Sequence, residues 1–156
     1  MAADAWIMYD AALEWIGDNT IDLDQGDAYF TCTLVTSSYV PNAGTHDTWA
    51  DASANELSGS GYTTGGDVAT GVTWVESAGT VTWDWSTDPA WTASGGSITA
   101  RFAIIAHRSN GTSLQSTDKM MCYSLLDNTP ADVSVTDGNT LTLTLNASGI
   151  FTLAKA

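Results

Sequence analysis

His46, His107, Cys32 and Cys122 are the side chains of this sequence best suited to proton transfer, nucleophilic attack or metal binding. None of them stands in the spacing that such chemistry requires. Zinc sites draw their ligands from short paired spacings, whereas these four are scattered along most of the chain. A nucleophile elbow needs Gly-x-Ser-x-Gly, and the chain reads Ser58-Gly59-Ser60-Gly61, with a serine two residues before Ser60. A triad on either histidine would have to be assembled by tertiary structure alone. The simpler expectation is a loop hydrogen bond for His46 and an exposed strand end for His107.

The carboxylates are more numerous and no more specific. Asp22, Asp24 and Asp27 fall in one short loop, and calcium wants many oxygen ligands close together. The loop fails the EF-hand template: Gln25 and Gly26 are out of register, and Thr33 stands where the bidentate glutamate belongs. A solvated turn is the expectation there, with no metal and no cofactor. Nothing distinguishes any pair of acids from surface charge, so a glycosidase pair is not identified either. Asn110-Gly111-Thr112 and Asn146-Ala147-Ser148 match a glycosylation sequon, which is short enough to occur by chance. No catalytic residue emerges, and the chain does not read as an enzyme.

The elements that would position any site read as one β domain. At 156 residues the chain is long enough to bury a core without staples, and residues 1–156 are expected to form a single domain. Asp4 reads as the cap of a helix over residues 4–16, with Gly17 as its left-handed stop. Apolar residues spread round much of that helix, so it is expected to meet partners on more than one side. Residues 29–35 read as a strand with Phe30, Cys32 and Leu34 inward. Residues 47–57 could hold a short helix, and residues 59–66 break regular structure.

Residues 68–75 and 80–85 read as a hairpin across 76–79. Residues 98–107 are apolar at both parities around Phe102 to Ala106, as a central strand covered on both sides should be. Residues 120–125 form a further strand. Leu141, Leu143 and Leu145 alternate with threonines, and residues 146–149 are expected to turn that strand back into 150–153 as a closing hairpin. The fold class is therefore mainly β, an antiparallel β-sandwich or jelly-roll-like domain with a short N-terminal helix.

Charge and compartment narrow the partners. Eighteen acidic residues against four basic ones give a net charge of -14, which repels phosphate backbones and anionic lipid. No nucleic acid and no membrane partner is expected. The start of the chain lacks a basic leader and no apolar run is long enough to span a bilayer, so the chain is expected to stay in the cytosol where it is made. Cys32 and Cys122 are then expected as buried free thiols. Seven tryptophans are the one compositional excess. Trp83, Trp85 and Trp91 could stack on a sugar, but alternation with threonine and aspartate already explains Trp83 and Trp85 as packing anchors.

The run Leu34-Val35-Thr36-Ser37-Ser38-Tyr39-Val40-Pro41-Asn42 is followed by Thr45-His46-Asp47 and by Glu56-Leu57-Ser58-Gly59-Ser60-Gly61-Tyr62. With Ile98-Thr99-Ala100-Arg101 and the closing Ala147-Ser148-Gly149-Ile150-Phe151-Thr152-Leu153, these segments resemble a family of small tailed-bacteriophage virion proteins. The likeness covers nearly the whole chain and includes the opening Tyr9-Asp10-Ala11-Ala12 and Ile21-Asp22-Leu23-Asp24. It departs from the family at Tyr29-Phe30-Thr31-Cys32, where members often carry a leucine- or valine-rich strand. A second departure lies at residues 125–130, where an aspartate-glycine turn is usual.

The resemblance implies a non-enzymatic structural component of the virion, a decoration or cement protein on the head exterior, assembled in the host cytoplasm. It would bind the major capsid protein or another virion protein as a homo-oligomer such as a trimer. The expected contact residues are Trp6, Met8, Tyr9, Leu13 and Trp15 on the helix, with Tyr39, Pro41, Trp49 and Tyr62 on the following loop. A tail- or fibre-associated virion protein is the alternative within the class. A carbohydrate-binding module using Trp83, Trp85 and Trp91 is the alternative outside it.

Overall fold

The computed structural model describes residues 4–127, 129 and 131–155. Residues 1–3 of the expected leaderless start, and Asn128 and Pro130 of the departing late segment, lie outside the described residues. Strand makes up 37% and helix 11%, so the chain is mainly β, with several antiparallel sheets and one short helix near its start, consistent with a β-sandwich. In chain order the strands are β1 (Ile7–Met8), β2 (Phe30–Val35), β3 (Asp67–Val68), β4 (Val72–Ser77), β5 (Thr80–Trp85) and β6 (Ala90–Thr92). They continue with β7 (Ile98–Ala100), β8 (Phe102–His107), β9 (Lys119–Leu125), β10 (Val133–Val135), β11 (Thr140–Thr142) and β12 (Phe151–Ala154); the helix, α1, is Asp10–Gly17.

The largest sheet has the order β1-β9-β8-β2-β3 and places β8 at its centre. That position explains why residues 103–106 are apolar at both parities: both faces of the strand are covered, and all four are buried. Strand β2 is buried along its whole length for the same reason, so the expected single inner face of Phe30, Cys32 and Leu34 becomes two. One face of the sheet packs Phe30, Cys32, Leu34, Ala103 and Ile105 against Trp83, Trp85, Trp91 and Ile150 from the smaller sheets. The opposite face packs Val35, Ile104 and Met120 against Tyr9 and Ala12 at the helix and Tyr39, Trp49 and Ala52 from the loops. Buried Thr33 satisfies its hydroxyl by donating to the Ile104 carbonyl at 3.1 Å, and Thr31 donates to the Gly65 carbonyl at 2.6 Å.

The helix is shorter than residues 4–16. Residues 7–8 instead pair with β9, Ile7 opposite Tyr123 and Met8 opposite Cys122, and the Asp4 N–H donates to the Leu125 carbonyl at 2.9 Å. The sheet edge competes for this segment and wins, because bulky Trp6 and β-branched Ile7 gain nothing from a helix. Asp10, Ala11, Ala12, Leu13 and Glu14 then start α1 with good helix formers and an acid in the first turn. Gly17 is the last helical residue, and the left-handed residue past the end is Asn19, at φ 62°.

The hairpin β4–β5 turns on two residues, Ala78 and Gly79, both at positive φ as a type I′ turn demands. Glu76 and Ser77, expected in the turn, stay in strand, and Glu76 Oε1 accepts the Gly79 N–H at 2.7 Å. Val68 belongs to β3, which pairs with β2. The expected strand over 98–107 is broken at Arg101, whose N–H donates to Val35 and whose side chain pairs with Asp132 at 2.7 Å. The short helix expected within residues 47–57 takes the form of two 3-10 turns, Trp49–Asp51 and Ser53–Asn55.

The closing hairpin does not form: β11 pairs with β6 and β12 pairs with β5. Alternation reports that each strand has one buried face, and says nothing of which neighbour it pairs with. Cys32 and Cys122 are free and buried. Each sits opposite Ile105, on either side of it, so two strand spacings of about 9.5 Å in all separate them. That is beyond the reach of a disulfide, and burial pushes both thiols up from their ordinary value.

Candidate functional site

The nine residues expected at contact surfaces divide into two groups. Leu13 projects from α1 at 60% exposure, and Trp6, Met8, Trp15 and Pro41 are half-buried. Tyr9, Tyr39, Trp49 and Tyr62 are buried inside the chain and are core residues. Aromatic side chains with a polar tip suit an interface and a hydrogen-bonded interior equally, and here the interior supplies the partners. Tyr9 and Tyr39 share a hydrogen bond of 2.7 Å between their hydroxyls, and Tyr39 meets His46 Nδ1 at 3.0 Å. Burial pushes the Tyr39 phenol up to about 12 and Tyr9 higher still.

This network joins the two segments that cover one face of the main sheet. The Asp10 N–H also donates to the Ala43 carbonyl at 2.9 Å, so α1 and the loop around Pro41 form one layer. The large apolar side chains that this layer leaves exposed are Leu13 and Val40, the latter 74% exposed, among polar neighbours that include Asp10, Glu14, Ser37 and Ser38. His46 therefore has the loop hydrogen bond expected of it. His107 does not have an exposed strand end: it is buried, its Nε2 lies 2.9 Å from Gln25 Oε1, and burial lowers its affinity for a proton.

Tyr62 is held by a second buried network, donating to Glu56 Oε1 at 2.8 Å and accepting the Leu34 N–H at 3.1 Å. Glu56 also accepts the Gly65 N–H at 2.6 Å. Burial raises the Glu56 carboxyl above its ordinary 4.5, outweighing the two donors. A raised native value means that the native state holds the proton more tightly than the unfolded chain. The resulting stability is complete below about pH 4.5 and is lost as pH rises through the native value. Glu56→Gln keeps both hydrogen bonds and has no such dependence. Its Tm relative to the parent is therefore expected to rise by about 1–2 °C between pH 4.5 and 7.5, discounting for partial exposure. Thermal melts at the two pH values check this, and a pH-independent difference would remove the buried carboxyl from the account.

Trp83, Trp85 and Trp91 are 0%, 4% and 5% exposed. Trp83 donates its indole N–H to the Leu23 carbonyl at 3.1 Å and packs edge-on against Phe30 and Trp85. Trp83 and Trp85 offer no open face for a sugar ring, because the alternation that placed them on one side of β5 also points that side into the core; Trp91, on β6, is buried nearly as fully. The loop 22–27 is a set of turns: Asp22 Oδ1 accepts the Asp24 N–H at 3.0 Å, and Asp27 Oδ1 accepts the Val72 N–H at 2.7 Å. Among the described residues no three His, Cys, Asp or Glu side chains lie close enough to hold a metal. Among the described residues no helix is long and apolar enough to cross a membrane.

Two surfaces were not legible in the sequence. The sheet β12-β5-β4 exposes Val75 and Leu153, at 57% and 62%. More concave is a groove of about 780 Å³ between residues 4–6 and residues 140–144, floored by Leu34, Trp91, Leu126, Val133, Val135 and Ile150. Its only trace in the sequence is the Leu/Thr alternation of 140–145, which identifies a strand without saying that one of its edges is free. No family model, no curated protein and no solved structure matches the chain.

Proposed function

We propose that this chain is a non-enzymatic structural protein of a tailed-bacteriophage virion, a decoration or cement protein seated on the exterior of the head as a homo-oligomer against the major capsid protein. The observation that carries the reading is the sequence resemblance, which spans nearly the whole chain, from Tyr9-Asp10-Ala11-Ala12 to Ile150-Phe151-Thr152-Leu153. Two physical features support it. A net charge of -14 keeps the protein off packaged DNA, as an exterior position demands. The layer made by α1 and the loop of the resembling segment also carries exposed Leu13 and Val40, apolar positions suited to burial against a neighbour.

Gold-labelled antibody against the chain, applied to purified particles of the phage that encodes it, tests the assignment in the electron microscope. Label distributed over the head is the expected result. Label confined to the tail would move the protein to the tail- or fibre-associated class, and unlabelled virions would overturn the structural reading altogether.

A further inference from the structure

The groove has an unusual wall. Five consecutive residues line it, the three of β11 and the two that follow, and consecutive residues of a strand cannot all turn the same face. It is therefore the edge of the strand that borders the groove. The ladder to β6 fixes which backbone groups lie on that edge. Leu141 stands opposite Trp91, the Leu143 N–H donates to the Pro89 carbonyl at 2.9 Å, and the Ala93 N–H donates to the Asn139 carbonyl at 2.8 Å. Ladder bonds thus fall on the odd-numbered residues, and the N–H and C=O groups of Thr140, Thr142 and Thr144 point away from β6. They have no backbone partner among the described residues.

The opposite wall, residues 4–6, leads into β1. It is anchored on its far side by the Asp4 N–H to Leu125 and by Ser124 Oγ donating to the Asp4 carbonyl at 2.7 Å. A slot with an unpaired strand edge along one wall and an apolar floor matches the chemistry of another backbone. Alternate N–H and C=O groups are recognised by an extended chain, and side chains of one parity then fall onto the floor. The three residues of β11 and the two that continue its edge span about 17 Å, enough for a short strand.

We infer that this groove binds an extended segment of a partner polypeptide, which adds as a strand along the free edge of β11. The segment carries apolar residues at alternate positions, facing Val133, Val135 and Ile150. It is neutral or basic, because Asp4 is the one charged residue lining the groove and the whole chain is strongly acidic. The inference goes beyond the virion reading and stands without it, since strand addition requires a free edge and not a particular particle.

The test is selection of a random dodecapeptide display library on the purified full chain, followed by titration of the enriched peptides. Enriched sequences are expected to alternate apolar residues and to lack acids. Thr142→Pro removes an N–H that points into the groove and is not used by β6, and should weaken binding about tenfold or more. Thr142→Val keeps the backbone and should bind as the parent does. Hydrogen exchange supplies a second readout: bound peptide should protect the Thr142 amide and leave the already bonded Leu141 and Leu143 amides unchanged. Should Thr142→Pro fail to fold, Val135→Lys on the floor replaces it. No enriched peptide, equal binding by the groove variants, or no added protection at Thr142 would overturn the inference. Dissociation of a parent oligomer by Thr142→Pro would support it and identify the partner segment as belonging to a second copy.

Discussion

Trp83→Ala is expected to destabilise the chain by about 3–5 kcal/mol, the range for removing a fully buried large aromatic ring. Trp83 has no exposed surface and sits where two layers meet, against Phe30 from the main sheet and against Trp85 and Phe151 from its own. The loss has two physical parts. One is the cavity left between the sheets, which the surrounding strands cannot close without breaking register. The other is the Leu23 carbonyl, which loses the indole N–H that satisfies it. Trp83→Phe keeps one six-membered ring while losing the donor and the volume of the fused ring, and is expected to cost less, about 1–3 kcal/mol. Urea unfolding followed by far-ultraviolet circular dichroism measures both. A loss below about 1 kcal/mol for the alanine variant would mean that the sandwich does not depend on this contact.

The second large effect is expected at a residue with no side chain. Gly66 has φ +77°, and a Cβ there would lie 2.1 Å from the Cys32 carbonyl oxygen, in the middle of β2. Since β2 is buried and paired on both sides, it has nowhere to move. Gly66→Ala is therefore expected to cost at least about 3 kcal/mol, combining left-handed strain with displacement of a central strand. Gly138→Ala is the control. Its φ of +82° is similar and nothing lies within 4 Å of an added Cβ, so it carries only the conformational cost of about 1–2 kcal/mol. The two denaturation midpoints should differ clearly. Equal midpoints would show that residues 65–68 do not press on β2.

These two positions also show how far the sequence could be read. Trp83 was legible as a packing anchor because it alternates with Thr82 and Asp84, and alternation is a local property of a strand. Gly66 was legible only as a breaker of regular structure, because its close approach to Cys32 joins residues far apart in the chain. The central strand was visible from its apolar run at both parities. The edge strand β1 was not, because two residues carry no periodicity and the capping signal at Asp4 suggested a helix instead. The buried tyrosines were assigned to a contact surface for a similar reason: Tyr9, Tyr39 and Tyr62 announce their amphipathic character but not the partner that uses it. The groove escaped notice because a free edge is an absence of pairing, and pairing is decided between segments.

By itself, then, the sequence determined what depends on neighbours along the chain: a mainly β fold, the hairpin of β4 and β5, the apolar centre of β8, the acidic surface and the lack of any motif spaced for catalysis. Tertiary structure alone decided which strands pair, which aromatic hydroxyls meet, and which edge is left open. The physical reason is that a strand's periodicity records burial, which is one-dimensional information. Hydrogen-bond partnership is chosen among all the strands that burial makes possible, and β11 took β6 instead of β12.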